Sequence, residues 1–233
     1  VPEWFAAPAR EPVERYRQAI SYTDTFIAAL DAKLAELNVA EETIFCVIGD
    51  HGEAFGEHGL LGHERIAFDE VLRIPFVLRA PVLVEPASKI TGPVTSADLT
   101  PTLLALLGFD ISAADFDGVD GLSDIADDRK VYFSSWMQQS PAGFVEGNRK
   151  FVYNPMDKKV FVYDLNIDPY ELVRMEPAEQ RQREIAEEII GWRRNSIFRI
   201  DQKQAGKKKL FGRWLCQWSS RVCSAKYRPE AVD

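Results

Sequence analysis

The feature that most constrains the fold of this chain is an unbroken apolar run, TIFCVIG, at residues 43–49. The run shows no alternation of apolar and polar side chains, and it is rich in β-branched and aromatic residues. Runs of this kind are typical of a strand that is covered on both faces, as in the middle of a mostly parallel sheet. The sequence therefore predicts a buried strand in a sheet flanked by helices.

The segments on either side of this run complete an α/β pattern. Upstream, apolar residues recur every three to four positions over 13–38, which predicts a long amphipathic helix that starts near Pro12. Downstream, RIPFVLRAP at 73–81 predicts a second strand. SADLTPTLLALLG at 96–108 has helix-capping residues at its start and a glycine at its end. Helix, strand, loop, strand and helix is the order expected of an α/β domain.

The second half of the chain carries different signals. Residues 110–128 are acidic and contain glycines, which predicts a surface crossing. Three short aromatic runs follow with turn residues between them, and they predict a small antiparallel sheet. These runs are KVYFSSW, GNRKFVYNP and KVFVYDL. The segment 177–198 then predicts a helix with Ile185, Ile189 and Trp192 on one stripe.

These signals divide the chain into three parts. Residues 1–128 are predicted to be an α/β unit, residues 129–198 a small antiparallel α+β subdomain, and residues 199–233 a tail. The tail is basic, with nine Lys or Arg against three Asp or Glu, although the net charge of the chain is −8. The acidic remainder argues against a nucleic-acid partner, because non-specific nucleic-acid binding depends on positive surface.

The tail itself combines a basic cluster with aromatic residues over 207–218. This pattern is found in helices that lie on membrane surfaces and in aromatic contacts to nucleic acid. We favour a third interpretation, in which the aromatic side chains pack on the preceding domain. Contact of 207–218 with a membrane surface remains a hypothesis.

The cysteines and the N-terminus bound the class of protein further. The three cysteines, Cys46, Cys216 and Cys223, are odd in number and form no close CxxC pair, which argues against a disulfide framework or a zinc cluster. Cys46 lies within the apolar run and is predicted to be a buried core thiol. The first residues lack an initiator Met and the pattern of a signal peptide, so we expect a chain cut from a longer protein.

Candidate functional residues follow the predicted buried strand directly. Asp50 and His51 lie where the strand must end, and ligands gather at the carboxyl ends of strands in open α/β sheets. A carboxylate oxygen beside an imidazole nitrogen suits Mn²⁺ or Zn²⁺ better than Ca²⁺. His58 and His63 occupy the glycine-rich loop that follows and could turn toward the same metal. The alternatives are a turn-forming Asp and solvated histidines.

The same segment resembles a known family. GDHGEAFGEHGLLGH, followed by EVLRIPFVLRAP, closely resembles the sulfatase family of the alkaline-phosphatase superfamily. Three further matches occur in the family's order, namely SYTDTFIAAL, SADLTPTLLALLG and FVYDLNIDPYEL. Together they cover about residues 13–195. The resemblance implies part of an alkaline-phosphatase-like, mostly parallel sheet flanked by helices, plus a small antiparallel sheet with a C-terminal helix.

The resemblance also implies roles for a few residues. Asp50 and His51 match two ligands of one divalent metal ion, which is Ca²⁺, Mn²⁺ or Zn²⁺ in the family. His63 lies thirteen residues after Asp50, where many sulfatases have a lysine that touches the ester oxyanion. His63 is therefore expected to bind substrate or to act as a general acid, and His58 is the second catalytic candidate. Glu70 and Arg73 are expected to form an ion pair that braces the next strand.

The chain lacks the family's nucleophile, which is a formylglycine in sulfatases. We therefore expect this chain to be the C-terminal half of a catalytic domain, inactive alone, with the missing N-terminal half as its partner. The implied function is metal-dependent hydrolysis of small-molecule or glycan sulfate esters in a periplasmic, extracellular or membrane-associated setting. Two alternatives stay open: a phosphodiester or phosphonate hydrolase or phosphoglycerol or phosphoethanolamine transferase of the same superfamily, and a non-catalytic binding module.

Overall fold

A computed structural model of the chain describes residues 10–90, 92–112, 115–135 and 139–196. The tail at 199–233, with the candidate membrane-contact segment 207–218 and both C-terminal cysteines, lies outside these residues. None of the described helices combines the length and the apolar character that a membrane crossing requires.

The first helix, α1, spans Pro12–Glu36 and confirms the predicted amphipathic helix. Pro12 occupies a first-turn position, where its missing N–H leaves no hydrogen bond unmade. The apolar stripe is not covered, because no residue of α1 is buried. More than half of the residue surface remains exposed at Ile20, Phe26, Leu30 and Leu37. One contact of the helix is edge-to-face packing of Tyr16 on Phe55, with ring centroids 5.1 Å apart.

The apolar run forms strand β1, Phe45–Ile48, which ends two residues before Asp50. Its partner is Phe76–Arg79, named β4, and the two strands are antiparallel. The expectation that β1 is covered on both faces is wrong for the described residues, since all four of its residues are only partly buried. Within the described part of the chain β1 pairs with one strand, β4, and no residue of the preceding helix α1 is buried, so this helix does not provide the expected cover. Every strand pair described is antiparallel, so the parallel part of the expected sheet is not represented among them.

Short elements lie between β1 and the second half of the chain. Two two-residue strands form a small hairpin around the 3-10 turn Glu57–Gly59, and a one-turn helix precedes β4. After β4 a 3-10 turn, Ser96–Asp98, leads into the next helix, which ends before Gly108 as predicted. The elements are β2 (Ala54–Phe55), β3 (Leu61–Gly62), α2 (Asp69–Leu72) and α3 (Leu99–Leu106).

The predicted small antiparallel sheet is confirmed, but it has four strands where the sequence predicted three. They are paired in chain order: β5 (Val131–Ser134), β6 (Ala142–Glu146), β7 (Arg149–Asn154) and β8 (Lys159–Asp164). The strand that was missed is β6, whose first residues are the small Ala142 and Gly143. A two-residue turn at Gly147 and Asn148 joins it to β7, and Gly147 has a φ of 55°. Gly-Asn between two apolar runs is a hairpin signal that could have revealed β6.

Both faces of this sheet are covered. On one face lies helix α4, which covers 179–196 within the described residues, and Ile185 and Ile189 on it are fully buried. Trp192 on the same helix stacks on Tyr132 of β5, which confirms the predicted stripe. The opposite face carries a second apolar cluster built from Val152, Phe161 and Tyr163 of the sheet and Ala67 of the segment before α2. The sheet therefore supports the segment that follows the candidate site.

Two buried ionic contacts hold the parts of the chain together. Asp98 is fully buried and accepts two hydrogen bonds of 2.8 Å from the Arg129 guanidinium, which fixes the start of α3. Lys150 of β7 is also fully buried, with its Nζ 2.9 Å from Asp69 Oδ1 and 2.5 Å from Glu171 Oε1. The second contact links the sheet to α2, and α2 lies directly beside the candidate site.

Candidate active site at the end of β1

The loop after β1 is held by backbone contacts that leave room only for glycine. Gly49 donates its N–H to the Pro75 carbonyl at 3.0 Å, and Gly52 donates to the Val71 carbonyl at 2.8 Å. A Cβ on Gly52 would lie 2.0 Å from the Glu70 carbonyl oxygen, which no side chain can do without displacing backbone. The close approach of the loop to α2 therefore depends on Gly52 and fixes the direction of the residues on either side of it.

Asp50 and His51 converge at this loop. The distance between Asp50 Oδ2 and His51 Nε2 is 3.8 Å, and Asp50 Oδ1 accepts the backbone N–H of His51 at 3.0 Å. Both side chains are exposed, Asp50 by 91% and His51 by 41%. Hydrogen bonds from the Asp50 and His51 backbone N–H groups hold the pKa of the Asp50 carboxyl below its usual value. The carboxylate is therefore available in its charged form at an open edge.

The ring orientation of His51 leaves one nitrogen free. Its Nδ1 lies 2.8 Å from the Gly52 carbonyl oxygen. A carbonyl only accepts, so Nδ1 carries the proton in the neutral ring and Nε2 presents a lone pair. That lone pair is on the same side as Asp50 Oδ2. The donor set of one hard oxygen and one imidazole nitrogen fits the divalent metal that the family resemblance implies.

His63 lies beside this pair, as predicted from its place in the loop. Its ring stacks on the ring of His51, with centroids 3.9 Å apart and an interplanar angle of 27°. Its Nδ1 lies 3.1 Å from Glu53 Oε2. The carboxylate holds the proton on Nδ1 and leaves Nε2 directed away from Glu53, as carboxylate–histidine pairs do in many active sites.

Glu53 is the residue that the sequence analysis missed. One ligand atom each from His51, Glu53 and His63 lie within 4.8 Å of one another, and they form a group that could hold a metal ion among the described residues. The available signal was the position of Glu53, three residues after Asp50 in a tightly turned loop. Acidic loop residues are usually solvated, so the position alone does not indicate a ligand, and the contact with His63 is seen only in the structure.

His58 lies in a different environment from the other two histidines. Its side chain is 14% exposed, its Nδ1 is 2.9 Å from Glu70 Oε1, and its Nε2 is 3.0 Å from the Tyr170 carbonyl oxygen. Its ring stacks on Phe68 at 3.7 Å with an interplanar angle of 2°. Burial by itself lowers the pKa of His58, but the hydrogen bond and the charge of Glu70 and the nearby carbonyls raise it overall.

Both nitrogens of His58 thus face acceptors, and only the charged imidazolium can donate to both. This arrangement favours a role in holding the loop and gives no support to the catalytic role expected from the sequence. The catalytic role of His58 stays a prediction, whereas the expected ion pair between Glu70 and Arg73 needs correction. Glu70 pairs with His58, and no ion pair between Glu70 and Arg73 occurs in the described part of the chain. Arg73 is the C-cap residue of α2 and is exposed.

Cys46 is no candidate nucleophile. It lies within β1 and is only partly buried, so the prediction of a buried core thiol was too strong. Burial raises the pKa of its thiol, which lowers the fraction of reactive thiolate. The described residues therefore bring together side chains that could hold a metal ion, and Cys46 is not a nucleophile for them.

Comparison with known proteins relates this chain to the sulfatases. Residues 3–109, a little under half of the chain, match the Sulfatase family, and this segment contains the whole edge described above. The similarity to curated sulfatases extends over a larger part of the chain. It is 29% identical over 119 residues to the ulvan-active sulfatase of Formosa agariphila, and 29% identical over 177 residues to the choline-sulfatase of Rhizobium meliloti.

Solved structures show that the sulfatase fold is shared. BT4656, solved in complex with its substrate D-glucosamine-2-N,6-O-disulfate, matches 78% of this chain with a TM-score of 0.65 and 21% identity. The phosphonate monoester hydrolase SpPMH from Silicibacter pomeroyi matches 75% of the chain with a TM-score of 0.55 and 22% identity. The expected fold class, an alkaline-phosphatase-like α/β fold with a small antiparallel sheet and a C-terminal helix, is thereby confirmed.

The chain spans only part of the length of the relatives it matches. The matched region is 22% of the ulvan-active sulfatase and 34% of the choline-sulfatase. It is 40% of BT4656 and 38% of SpPMH. The relatives thus contain further sequence that has no counterpart among these residues.

Proposed function

We propose that this chain contributes the metal-binding edge of a catalytic site that hydrolyses sulfate esters. The observation that carries the proposal is the convergence of Asp50 Oδ2 and His51 Nε2, 3.8 Å apart at an open strand end. The match of residues 3–109 to the Sulfatase family supports the reaction class. The substrate class is a small-molecule or glycan sulfate ester. By the family resemblance alone, the setting is periplasmic, extracellular or membrane-associated.

In this proposal each residue of the edge has a defined task. Asp50 and His51 would hold one divalent ion, which would polarise the ester oxygens and offset the negative charge that develops on them. His63, kept in one orientation by Glu53, directs Nε2 toward the same opening, where a protonated ring donates a hydrogen bond or a proton to an ester oxygen. His58 positions the loop through Glu70 and the Tyr170 carbonyl.

None of these residues acts as the nucleophile in this proposal. We propose that it is a formylglycine supplied by an N-terminal half of the same catalytic domain, and that the chain alone has no turnover. The second candidate function is phosphonate or phosphodiester hydrolysis, or transfer of phosphoglycerol or phosphoethanolamine. The specific observations in its favour are the imidazole of His51 at the metal edge and the imidazole of His63 where a lysine was expected. The third, a non-catalytic binding module, requires that no nucleophile faces the edge.

The test compares variants in the longest natural protein that contains this chain, with p-nitrophenyl sulfate and p-nitrophenyl phenylphosphonate as substrates. Asp50→Ala and His51→Ala should each lower kcat/KM by at least about a hundredfold, because even outer-shell changes at metal sites lower activity by 10–100-fold. Lys159→Ala, in an exposed ion pair on the antiparallel sheet, is the matched control and should retain activity. Wild-type kcat/KM in both site variants would contradict the proposal.

Metal content and substrate ratio separate the candidates. Bound Ca²⁺ with faster sulfate hydrolysis supports the sulfatase, whereas Mn²⁺ or Zn²⁺ with faster phosphonate hydrolysis supports the second candidate. Hydrolysis of neither ester by the wild-type protein would support the binding module. Robust hydrolysis by the isolated 233-residue chain would contradict the proposal that half of the site lies elsewhere.

A further inference from the structure

The chain has only three histidines, and the structure separates them into two groups. His51 and His63 stack on each other at the open edge, whereas His58 is held by Glu70 and Phe68. Glu53 joins the first group through its contact with His63. The edge therefore presents the imidazoles of His51 and His63 and the carboxylate of Glu53. Only His51 of these three is part of the Asp50 and His51 pair.

The donor chemistry of this group points to a transition metal. Two imidazole nitrogens and one carboxylate oxygen form a set that suits Zn²⁺ and its neighbours in the first transition row. Ca²⁺ is a poor fit because it prefers six to eight oxygen ligands. A lysine at position 63 would remove the set, because an ammonium group has no lone pair to offer. His63 thus creates a binding possibility that a lysine there would lack.

The distances require only local adjustment. Zinc bonds to histidine nitrogen and carboxylate oxygen measure about 2.0–2.2 Å, so tetrahedral ligand atoms lie roughly 3.4 Å apart. The three ligand atoms already lie within 4.8 Å of one another. His51 and His63 are each 41% exposed, so their rings can rotate out of the stack into a converging geometry. The hydrogen bond from the Gly52 N–H to the Val71 carbonyl anchors the loop backbone. The adjustment is therefore expected in the side chains.

We propose that His51, Glu53 and His63 form a transition-metal site of the Zn²⁺ class in this chain. The site uses His51 but not Asp50, and it withdraws His63 from the ester. If the proposed function holds, on which this consequence rests, Zn²⁺ at this site and a substrate at the Asp50 and His51 edge exclude each other. The binding itself stands independently of any hydrolytic activity.

The experiment is a Zn²⁺ titration of the purified chain, followed by calorimetry and by NMR of the imidazole ring nitrogens. Because there are only three histidines, each ring signal can be assigned by single substitution. Zn²⁺ should shift the signals of His51 and His63 and leave those of His58 in place. His58 also serves as an internal probe of folding, since its signal depends on the contacts with Glu70 and the Tyr170 carbonyl.

Substitutions then define the ligand set. His63→Lys and Glu53→Gln should each weaken Zn²⁺ binding at least about tenfold, since each removes one of three ligands. Asp50→Ala should leave the affinity within about threefold of the wild-type value, because Asp50 is not in the set. In every variant an unchanged His58 signal shows that the loop is still folded.

Each contrary outcome is distinct. If Asp50→Ala weakens binding as much as His63→Lys, Asp50 is a ligand and the proposed three-residue site is refuted, while the proposed function is untouched. Wild-type affinity in His63→Lys, or equal shifts of all three histidines, also refutes it. No Zn²⁺ binding by the folded wild-type chain refutes it as well. Activity plays no part in this experiment, so failure of the proposed function cannot be mistaken for failure of the site.

Discussion

The buried ammonium group of Lys150 offers the sharpest test of how this fold is stabilised. Lys150 is fully buried on the antiparallel sheet, and it contacts the side chains of Glu171, which is 1% exposed, and Asp69, which is 33% exposed. Burial raises the pKa of Glu171 even with the Lys150 charge beside it. Lys150→Met keeps most of the apolar stem and removes only the charge.

The expected magnitude follows from what remains after the change. Removing one partner of a buried ion pair lowers the free energy of unfolding by about 3–5 kcal/mol, because the other charge stays buried without compensation. Glu171 keeps one hydrogen bond, from the Asp69 N–H at 2.7 Å, so we expect the lower part of that range. Asp69→Asn should cost about 1 kcal/mol or less, since Asp69 is partly solvated. Adding Glu171→Gln to Lys150→Met should restore part of the loss, because no bare carboxylate then remains buried.

The assay is equilibrium unfolding in urea, followed by circular dichroism and tryptophan fluorescence. Lys159→Met is the matched control, because Lys159 forms an exposed ion pair with Glu176 and should contribute less than about 1 kcal/mol. A loss below about 1 kcal/mol for Lys150→Met would refute the reasoning. So would a double variant, Lys150→Met with Glu171→Gln, whose loss of unfolding free energy exceeds the sum of the losses of the two single variants.

Three further predictions test other parts of the structure. The fold raises the pKa of His58, so the charged ring stabilises the folded state fully below its unfolded pKa of about 6.5. This stabilisation is lost as the pH rises through the folded pKa. In thermal unfolding, His58→Gln should therefore destabilise the protein more at pH 6 than at pH 9. Arg129→Leu should lower the free energy of unfolding by about 2–4 kcal/mol in urea, because Asp98 keeps only its backbone donors, and a loss near zero would contradict the buried pair. Gly143→Ala places a Cβ 2.0 Å from a facing carbonyl and should destabilise by more than about 2 kcal/mol, whereas Gly191→Ala on α4 meets no atom within 4 Å and should stabilise by about 0.5–1 kcal/mol; equal effects in the same assay would refute this contrast.

The local features of this fold could be predicted from the sequence because they depend on neighbours along the chain. The repeat of apolar residues set the span of α1 and the buried stripe of α4, and Gly108 ends α3 with a φ of 79° that few other residues adopt. Asp50 and His51 could be placed at a strand end for the same reason, since the apolar run stops before them. The division of the chain at residue 128 and the role of the tail stay predictions.

The pairing of residues distant in sequence could not be predicted in this way. Strand β6 begins with small residues that show little strand preference, so its only local signal was the Gly147-Asn148 turn, and its pairing with both β5 and β7 is seen only in the structure. The antiparallel direction of β1 and β4, like the burial of Lys150, depends on which surfaces meet after folding. Local sequence does not determine which of these surfaces meet.

The candidate site shows the same division. The sequence by itself determined that Asp50, His51 and His63 belong to one loop at the end of an apolar strand. Only the tertiary structure decided that Glu53 holds His63, and that Glu70 pairs with His58 in place of Arg73. The reason is physical: chain order sets backbone geometry and the face on which a side chain lies, whereas the partner of a charge is chosen by whatever folding brings within hydrogen-bond reach.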